Sequence, residues 1–215
     1  MAKLFILSAP SGTGKSTIAE KLLQQIEGMK KVVTATTREP RPGERHGIDY
    51  IFMSKQEFEE GIRKGLFLEY ANVYGNYYGT PKDQIERNMR EGYDSLLVID
   101  VQGAFKVKSI NPEAISVFVL PPSLEELRRR IIGRGFKDSN VQERLSTAKG
   151  EIPCARNFDY IIINDFINKA VEQVKSIIVA SRCERDSVLS NLRNLLHNEE
   201  LIELIEGGDC YVKET

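Results

Sequence analysis

Ala9-Pro10-Ser11-Gly12-Thr13-Gly14-Lys15-Ser16-Thr17 decides the fold. An apolar, strand-like run, Leu4-Phe5-Ile6-Leu7, precedes it. A helical pattern follows, with Ile18, Ala19, Leu22, Leu23 and Ile26 on one face. Strand, glycine-rich turn and helix in that order make a phosphate-binding loop. Gly12 and Gly14 let the backbone curl so that its N–H groups converge on phosphate oxygens. The helix N-terminus adds partial positive charge. Lys15 supplies a full charge for the β- and γ-phosphates, and the Ser16 hydroxyl is placed to ligate Mg²⁺. The strict motif begins with Gly where this chain has Ala9. A chance Gly-Lys-Ser in a surface loop would lack the strand before it and the helix after it.

Outward from the loop, short apolar runs recur at Val32–Val33, Ser95–Ile99, Ile115–Leu120 and Tyr160–Ile163. They are continuous rather than alternating, as in strands buried on both faces. Helical patterns between them imply an α/β fold, a parallel sheet flanked by helices, with ligand at the carboxyl ends of the strands. Two stretches interrupt the alternation. Residues 34–86 are rich in Gly, Tyr, Arg and Pro and read as an insert of short strands and turns. Residues 121–152 read as a helical hairpin. Ser123 with Glu126 and Ser139 with Gln142 are expected capping boxes, and Gly133 and Gly135 flank the turn. The hairpin carries Arg128, Arg129, Arg130, Arg134, Lys137, Arg144 and Lys149. By itself that is a solvated basic face; beside a phosphate loop it reads as a lid. The core is then expected from 1–33, 87–120 and 153–200. Leu189–Ile205 reads as one further amphipathic helix, ended by Gly207-Gly208, and 201–215 as a C-terminal tail.

Bulk properties exclude several classes. The net charge of −1 over 215 residues supplies no global field for nucleic acid. No apolar run approaches a membrane span, and the apolar start is too short for a signal peptide. Cys154, Cys183 and Cys210 have no metal spacing, so free thiols and a cytoplasmic location are expected. His46 and His197 are expected at the surface. A guanine-reading Asn-Lys-x-Asp loop is absent from the sequence. Two cationic clusters flanking one phosphate loop point to phosphoryl transfer from ATP to a small phosphorylated acceptor.

Four segments occur in order: Ser8–Ser16, Thr36-Thr37-Arg38-Glu39-Pro40-Arg41-Pro42-Gly43-Glu44, Gly75-Asn76-Tyr77-Tyr78-Gly79-Thr80 and Ile99-Asp100-Val101-Gln102-Gly103. Together they resemble the guanylate kinase family of P-loop nucleoside monophosphate kinases, from about Ala2 to Arg182. The resemblance implies a P-loop NTPase core, a GMP-binding subdomain at 34–86 and a lid at 121–152. It implies transfer of the γ-phosphoryl group of ATP to GMP, and to dGMP, with Mg²⁺ entering alongside ATP, by a monomer or homodimer. ATP would lie on Ala9 to Thr17. Arg38, Arg41, Tyr50 and Tyr78 would hold the GMP phosphate, two planar cations and two phenols for one dianion. Glu69 would accept from guanine N1–H and N2–H₂, a donor pair adenine lacks. Thr34 would serve guanine O6; Gly79 and Thr80 complete the set, the family more often having Ser at 34 and 80. Asp100 would contact guanine or, with Ser16, the metal. Lys15, Arg38, Arg134 and Arg144 would carry catalysis.

One departure stands out. The family commonly reads Asp-x-Asp where this chain has Val98-Ile99-Asp100, so one carboxylate on that strand face is missing. Two alternatives remain at this point: a catalytically inactive interaction module of the same fold, and another small-molecule P-loop kinase. Singly, Glu69 and Arg38 could be surface ion pairs, and Tyr77 or Tyr78 core aromatics.

Overall fold

A computed structural model describes residues 2–73, 75–133 and 138–207, the side chains of 138–140 excepted. Arg134, Gly135, Lys137 and Cys210 lie outside the described residues. The chain divides into two compact units, Ala2–Lys175 and Ser176–Thr215.

The first unit is built on a five-stranded sheet. Its strands are β1 (Leu4–Ser8), β2 (Met29–Lys31), β7 (Asp94–Val98), β8 (Ile115–Leu120) and β9 (Tyr160–Ile163), in the order β2-β7-β1-β8-β9. Every pair is parallel. β1 and β7 sit inside the sheet with Phe5, Ile6, Leu7, Leu96 and Leu97 almost wholly buried, which is why these runs do not alternate. Helices α1 (Lys15–Leu23), α3 (Lys82–Arg90) and α4 (Val101–Ile110) connect the strands. One core joins Leu4, Ile6 and Leu97 of the sheet to Ile85, Ala104 and Val107 of the helices.

Two boundaries differ from expectation. The strand expected at Val32–Val33 ends at Lys31. Val32 N–H still reaches Leu96 O, but Val33 exchanges both backbone bonds with the Gln84 amide, a side chain replacing the ladder. β7 begins and ends one residue before the expected Ser95–Ile99.

The insert forms its own four-stranded sheet from β3 (Ala35–Thr36), β4 (Ile51–Phe52), β5 (Phe67–Val73) and β6 (Asn76–Pro81), ordered β4-β3-β6-β5. It also holds α2 (Lys55–Arg63), which the reading of strands and turns missed. Ser54 and Glu57 close a full capping box at its start. α2 packs Phe58 between Phe67 and Tyr77, at ring centroid distances of 4.4 and 5.1 Å.

The hairpin forms α5 (Leu124–Ile132) and α6 (Asp138–Glu151), packed through Leu127, Ile131, Val141 and Ala148. Its expected caps are corrected. Ser123 Oγ accepts from Glu126 N–H, but the Glu126 carboxylate turns to Arg129 and Arg130, so the box is half formed. Ser139 lies inside α6 rather than before it. α7 (Ile167–Arg182) buries Ala170, Val171, Val174 and Ile178.

In the second unit the expected Leu189–Ile205 helix is three pieces: α8 (Arg185–Leu189), α9 (Leu192–Leu195) and α10 (Glu199–Gly207). Asn and Ser compete for backbone groups at the breaks. Asn191 Oδ1 accepts from the Asn194 amide, and Asn198 Oδ1 caps Leu201 N–H. Leu196 between them is extended.

Candidate active site

The turn from β1 into α1 is built by backbone conformation. Gly12 and Gly14 have φ of 94° and 99°, which L side chains rarely adopt. Neither has room for a side chain. A Cβ on Gly12 would stand 2.8 Å from Ile131 of the hairpin, and one on Gly14 2.6 Å from the Asn164 amide. Thr13 is fully buried, its hydroxyl stitching the loop to Pro10 O at 2.9 Å. Asn164 Nδ2 donates to Thr13 O at 2.6 Å from behind. Ala9 is buried as well.

Lys15 leaves the first turn of α1 and donates from Nζ to Ile99 O at 2.7 Å. Burial pushes its pKa down, while the Asp100 and Glu151 carboxylates hold it up. Asp100 caps α4, its Oδ1 accepting from Gly103 N–H at 2.9 Å. Thus β7 and α4 present one carboxylate beside the lysine, and Val98 faces the same cleft without one.

From the insert, β5 presents Glu69. It is 6% exposed, and its Oε1 accepts from Thr80 Oγ1 at 2.6 Å. Burial raises its pKa, with the Thr80 hydrogen bond opposing. The α4 backbone approaches so closely that a Cβ on Gly103 would stand 3.0 Å from Glu69 Oε2. Alternation along β6 separates the two tyrosines. Tyr77 stacks on Phe58 in the core, while Tyr78 meets Tyr50 edge-on at 6.0 Å. Gly79 contributes by lacking a side chain, since a Cβ there would meet Phe58 at 2.8 Å.

A single carboxylate organises Arg38 and Arg41. Glu44 accepts both oxygens' worth of bonds from Arg38 Nη2, each 2.9 Å, and one from Arg41 N–H at 2.8 Å. Arg38 lies 5.3 Å from the Tyr50 ring centroid. It does not line the cleft; Arg41, Tyr50 and Tyr78 do.

The hairpin's cations divide. Arg129 and Arg130 are tied to Glu126 at 2.8 and 2.6 Å; Arg129 fits the solvated-face reading, while the partly buried Arg130 also reaches Thr13 O at 3.5 Å. Arg144, on α6, reaches the loop and donates to Ser11 Oγ at 3.0 Å. Arg134 lies outside the described residues.

These groups meet in one cleft of about 230 Å³. Its walls carry Ala9–Gly12 and Gly14–Ser16 of the loop, then Thr34, Arg41, Tyr50, Glu69, Tyr78, Asp100 and Arg144. Thr17 instead faces a more open groove of about 690 Å³ on the other side of the loop, with Arg129, Arg130 and Asn164. Glu151, unremarked in the sequence, also lines the first cleft.

The guanylate kinase family model matches residues 1–181. The chain belongs to the guanylate kinase family. It is 42% identical over 198 residues to a guanylate kinase of Shouchella clausii, covering 92% of this chain and 97% of that one. It is 46% identical over 180 residues to one of Clostridioides difficile, covering 83% and 88%. A crystal structure of guanylate kinase from Anaplasma phagocytophilum matches with a TM-score of 0.76 at 33% identity, over 97% and 96% of the two chains. In this guanylate kinase family member two residues escaped the sequence reading: Glu44, which holds Arg38 and the Arg41 backbone, and Glu151, which lines the cleft. Glu44 carried a signal, closing the motif that supplies Arg38 and Arg41. Glu151 carried none, because only the packing of α6 on the loop brings it to Lys15.

Proposed function

We propose that this chain transfers the γ-phosphoryl group of ATP to GMP, and also to dGMP, with Mg²⁺, in the cytoplasm. One observation carries the reading: the phosphate loop and the buried Glu69 carboxylate line the same cleft. Glu69 reads guanine N1–H and N2–H₂, oriented by Thr80, and Thr34 serves O6. Arg41, Tyr50 and Tyr78 hold the acceptor phosphate, with Arg38 fixed behind them by Glu44. Burial and the neighbouring Tyr78 raise the Tyr50 pKa, keeping a phenol donor at that face.

The donor triphosphate lies on the N–H groups of Ser11 to Thr17, its nucleoside toward the groove beside Asn164. The donor set fits a metal carried in by the phosphates. No group of three His, Cys, Asp or Glu able to hold one exists among the described residues, while Ser16 and Asp100 both offer hard oxygens to the cleft. Mg²⁺, held by Ser16 and Asp100, would neutralise phosphate charge there. The protein's own task is electrostatic, since two anions must meet. Lys15, Arg41 and Arg144 line the cleft, the family resemblance gives Arg134, outside the described residues, the same task, and lid closure excludes water. No helix among the described residues is long and apolar enough to cross a membrane.

ADP formation from ATP with each nucleoside monophosphate in turn is the test. Turnover with GMP and not AMP is expected; none with GMP overturns the reading and returns the inactive module or a different small-molecule kinase. Near-normal kcat in folded Arg134→Ala would remove that residue from the lid's catalytic set.

A further inference from the structure

Glycine gives the phosphate loop freedom, and the freedom runs in two directions. No cis peptide occurs among the described residues, so the carbonyl of Thr13 and the N–H of Gly14, parts of one trans peptide, point opposite ways. Rotating that single peptide about its flanking bonds would exchange the two with little movement of the chain. Gly14, lacking a Cβ, accepts either hand. The loop by itself therefore leaves open whether the Gly14 N–H faces the cleft or turns its back on it.

The choice is made from outside the loop. Asn164 Nδ2 donates to Thr13 O at 2.6 Å, from 151 positions further along the chain. The amide is not free to follow a turning carbonyl. Asn164 is 3% exposed, and its backbone N–H extends the ladder beyond β9 to Leu120 O at 2.8 Å. Arg130 Nη1 approaches the same carbonyl from α5 at 3.5 Å. Thr13 is itself held, its hydroxyl and its N–H both donating to Pro10 O. Gly14 lines both the cleft and the groove, whereas Asn164 lines the groove. Thr13 O is thus kept on the groove side, which turns the Gly14 N–H toward the cleft.

A second observation separates this contact from plain packing. Asn164 Oδ1 is buried and has no hydrogen-bond partner among the described residues. An unpaired buried acceptor costs stability, so packing does not account for an amide at this place. What the amide supplies is the donor that faces Thr13 O.

We propose that Asn164 is a positioning residue for the donor phosphates, fixing the Thr13–Gly14 peptide so that the Gly14 N–H is aimed at them before they arrive. It touches no reacting atom and acts through the loop backbone. The inference rests on the donor triphosphate lying on this loop, as proposed above.

The experiment uses the full chain, the variants Asn164→Ala and Asn164→Asp, and inorganic tripolyphosphate as a base-free probe beside ATP and GMP. It measures the dissociation constant of each at constant Mg²⁺, KM for GMP, and Tm. Asn164→Ala should weaken tripolyphosphate and ATP alike, each about tenfold, with binding and KM of GMP within about twofold. Asn164→Asp keeps the shape but sets an oxygen against Thr13 O, and should lose at least as much. Wild-type affinities in either variant overturn the proposal. A loss for ATP without one for tripolyphosphate also overturns it, and would mean that Asn164 meets the donor's nucleoside instead. So does an equal loss for all three ligands with a matching fall in Tm, the mark of a merely structural contact. Wild-type protein that binds ATP and tripolyphosphate but turns over no GMP breaks the assigned reaction, and the affinity comparison still decides the role of Asn164. Wild-type protein that binds neither overturns both.

Discussion

The two halves of the cleft are built by different means. The half proposed for the acceptor is held by side-chain hydrogen bonds: Glu69 to Thr80, Arg38 to Glu44, Glu44 to the Arg41 backbone. The donor half consists mostly of backbone, with Gly12 and Gly14 at positive φ and a few side chains touching it from outside. A base edge has a donor pattern that must be matched in advance, which demands oriented side chains. A phosphate is met by any converging set of N–H groups and positive charge, which a turn supplies by shape. Recognition should therefore fail residue by residue in the acceptor half, and through geometry and charge in the donor half.

Lys15→Met gives the largest effect. It removes the donor half's one full charge on the loop itself, so kcat should fall about 10³-fold or more. Because burial already disfavours the charged ammonium, Met should fold as well as Lys, and Tm should hold. A collapse in Tm would mean that Lys15 supports the fold rather than the reaction.

Next is Glu69→Gln. The amide presents a donor where guanine also presents donors, so KM for GMP should rise about a hundredfold, from about 2–3 kcal/mol of lost and unpaired hydrogen bonding. ATP binding should not move. Equal losses for both nucleotides would erase the distinction between the halves.

A matched pair of alanines sharpens it further. Gly12→Ala forces a side chain to φ 94° and against Ile131, costing about 1–3 kcal/mol of strain. ATP binding should weaken about thirtyfold. Gly103→Ala leaves the backbone unstrained but presses on a Glu69 carboxylate that Thr80 prevents from yielding. KM for GMP should rise about tenfold, roughly 1.4 kcal/mol, with ATP untouched. Titrations of each nucleotide against each variant would show whether the effects cross over.

The same difference explains what the sequence disclosed. The turn from β1 into α1 was legible because its geometry is local: strand, glycines, Lys15 and helix are contiguous. The parallel sheet was legible because β1, β7 and β8 are short and carry continuous apolar runs, Leu4–Leu7, Leu96–Val98 and Val117–Leu120. Less was readable where a side chain's role depends on distant backbone. Ser54-x-x-Glu57 marked α2, yet the surrounding Gly, Tyr and Pro concealed it. Glu126 was assigned to a cap but pairs with Arg129 and Arg130, a choice between equally local partners that spacing alone leaves open. Val33 looked like strand and is held by Gln84, 51 residues away. Glu151 needed the whole hairpin to be folded onto Gly12 before it had a neighbour.

The smallest expected effect concerns what the halves share. Each buries a carboxylate whose charge is disfavoured by burial: Glu69 in one, Glu151 in the other, the latter with a pKa raised to about 7. In the unfolded chain Glu151 would titrate near its ordinary 4.5. Between about 4.5 and about 7 the folded state therefore keeps a proton that the unfolded state has released. That favours folding below the window, and the contribution is lost as pH rises through it. Glu69 acts in the same direction, whereas Asp159, held low by Lys108 and Ser116 against its burial, acts in the opposite one. Only a difference between variants isolates Glu151. Without nucleotide or metal, Glu151→Gln should match wild type near pH 5 and exceed it by about 2 °C in Tm at pH 8. The group's partial exposure keeps the gain that small. A gain that grows toward low pH would reverse the sign and mean that Lys15 and Ser11 over-compensate the burial. Glu151 would then be a stabilising ion pair, and the donor half, like the acceptor half, would be held together by its side chains.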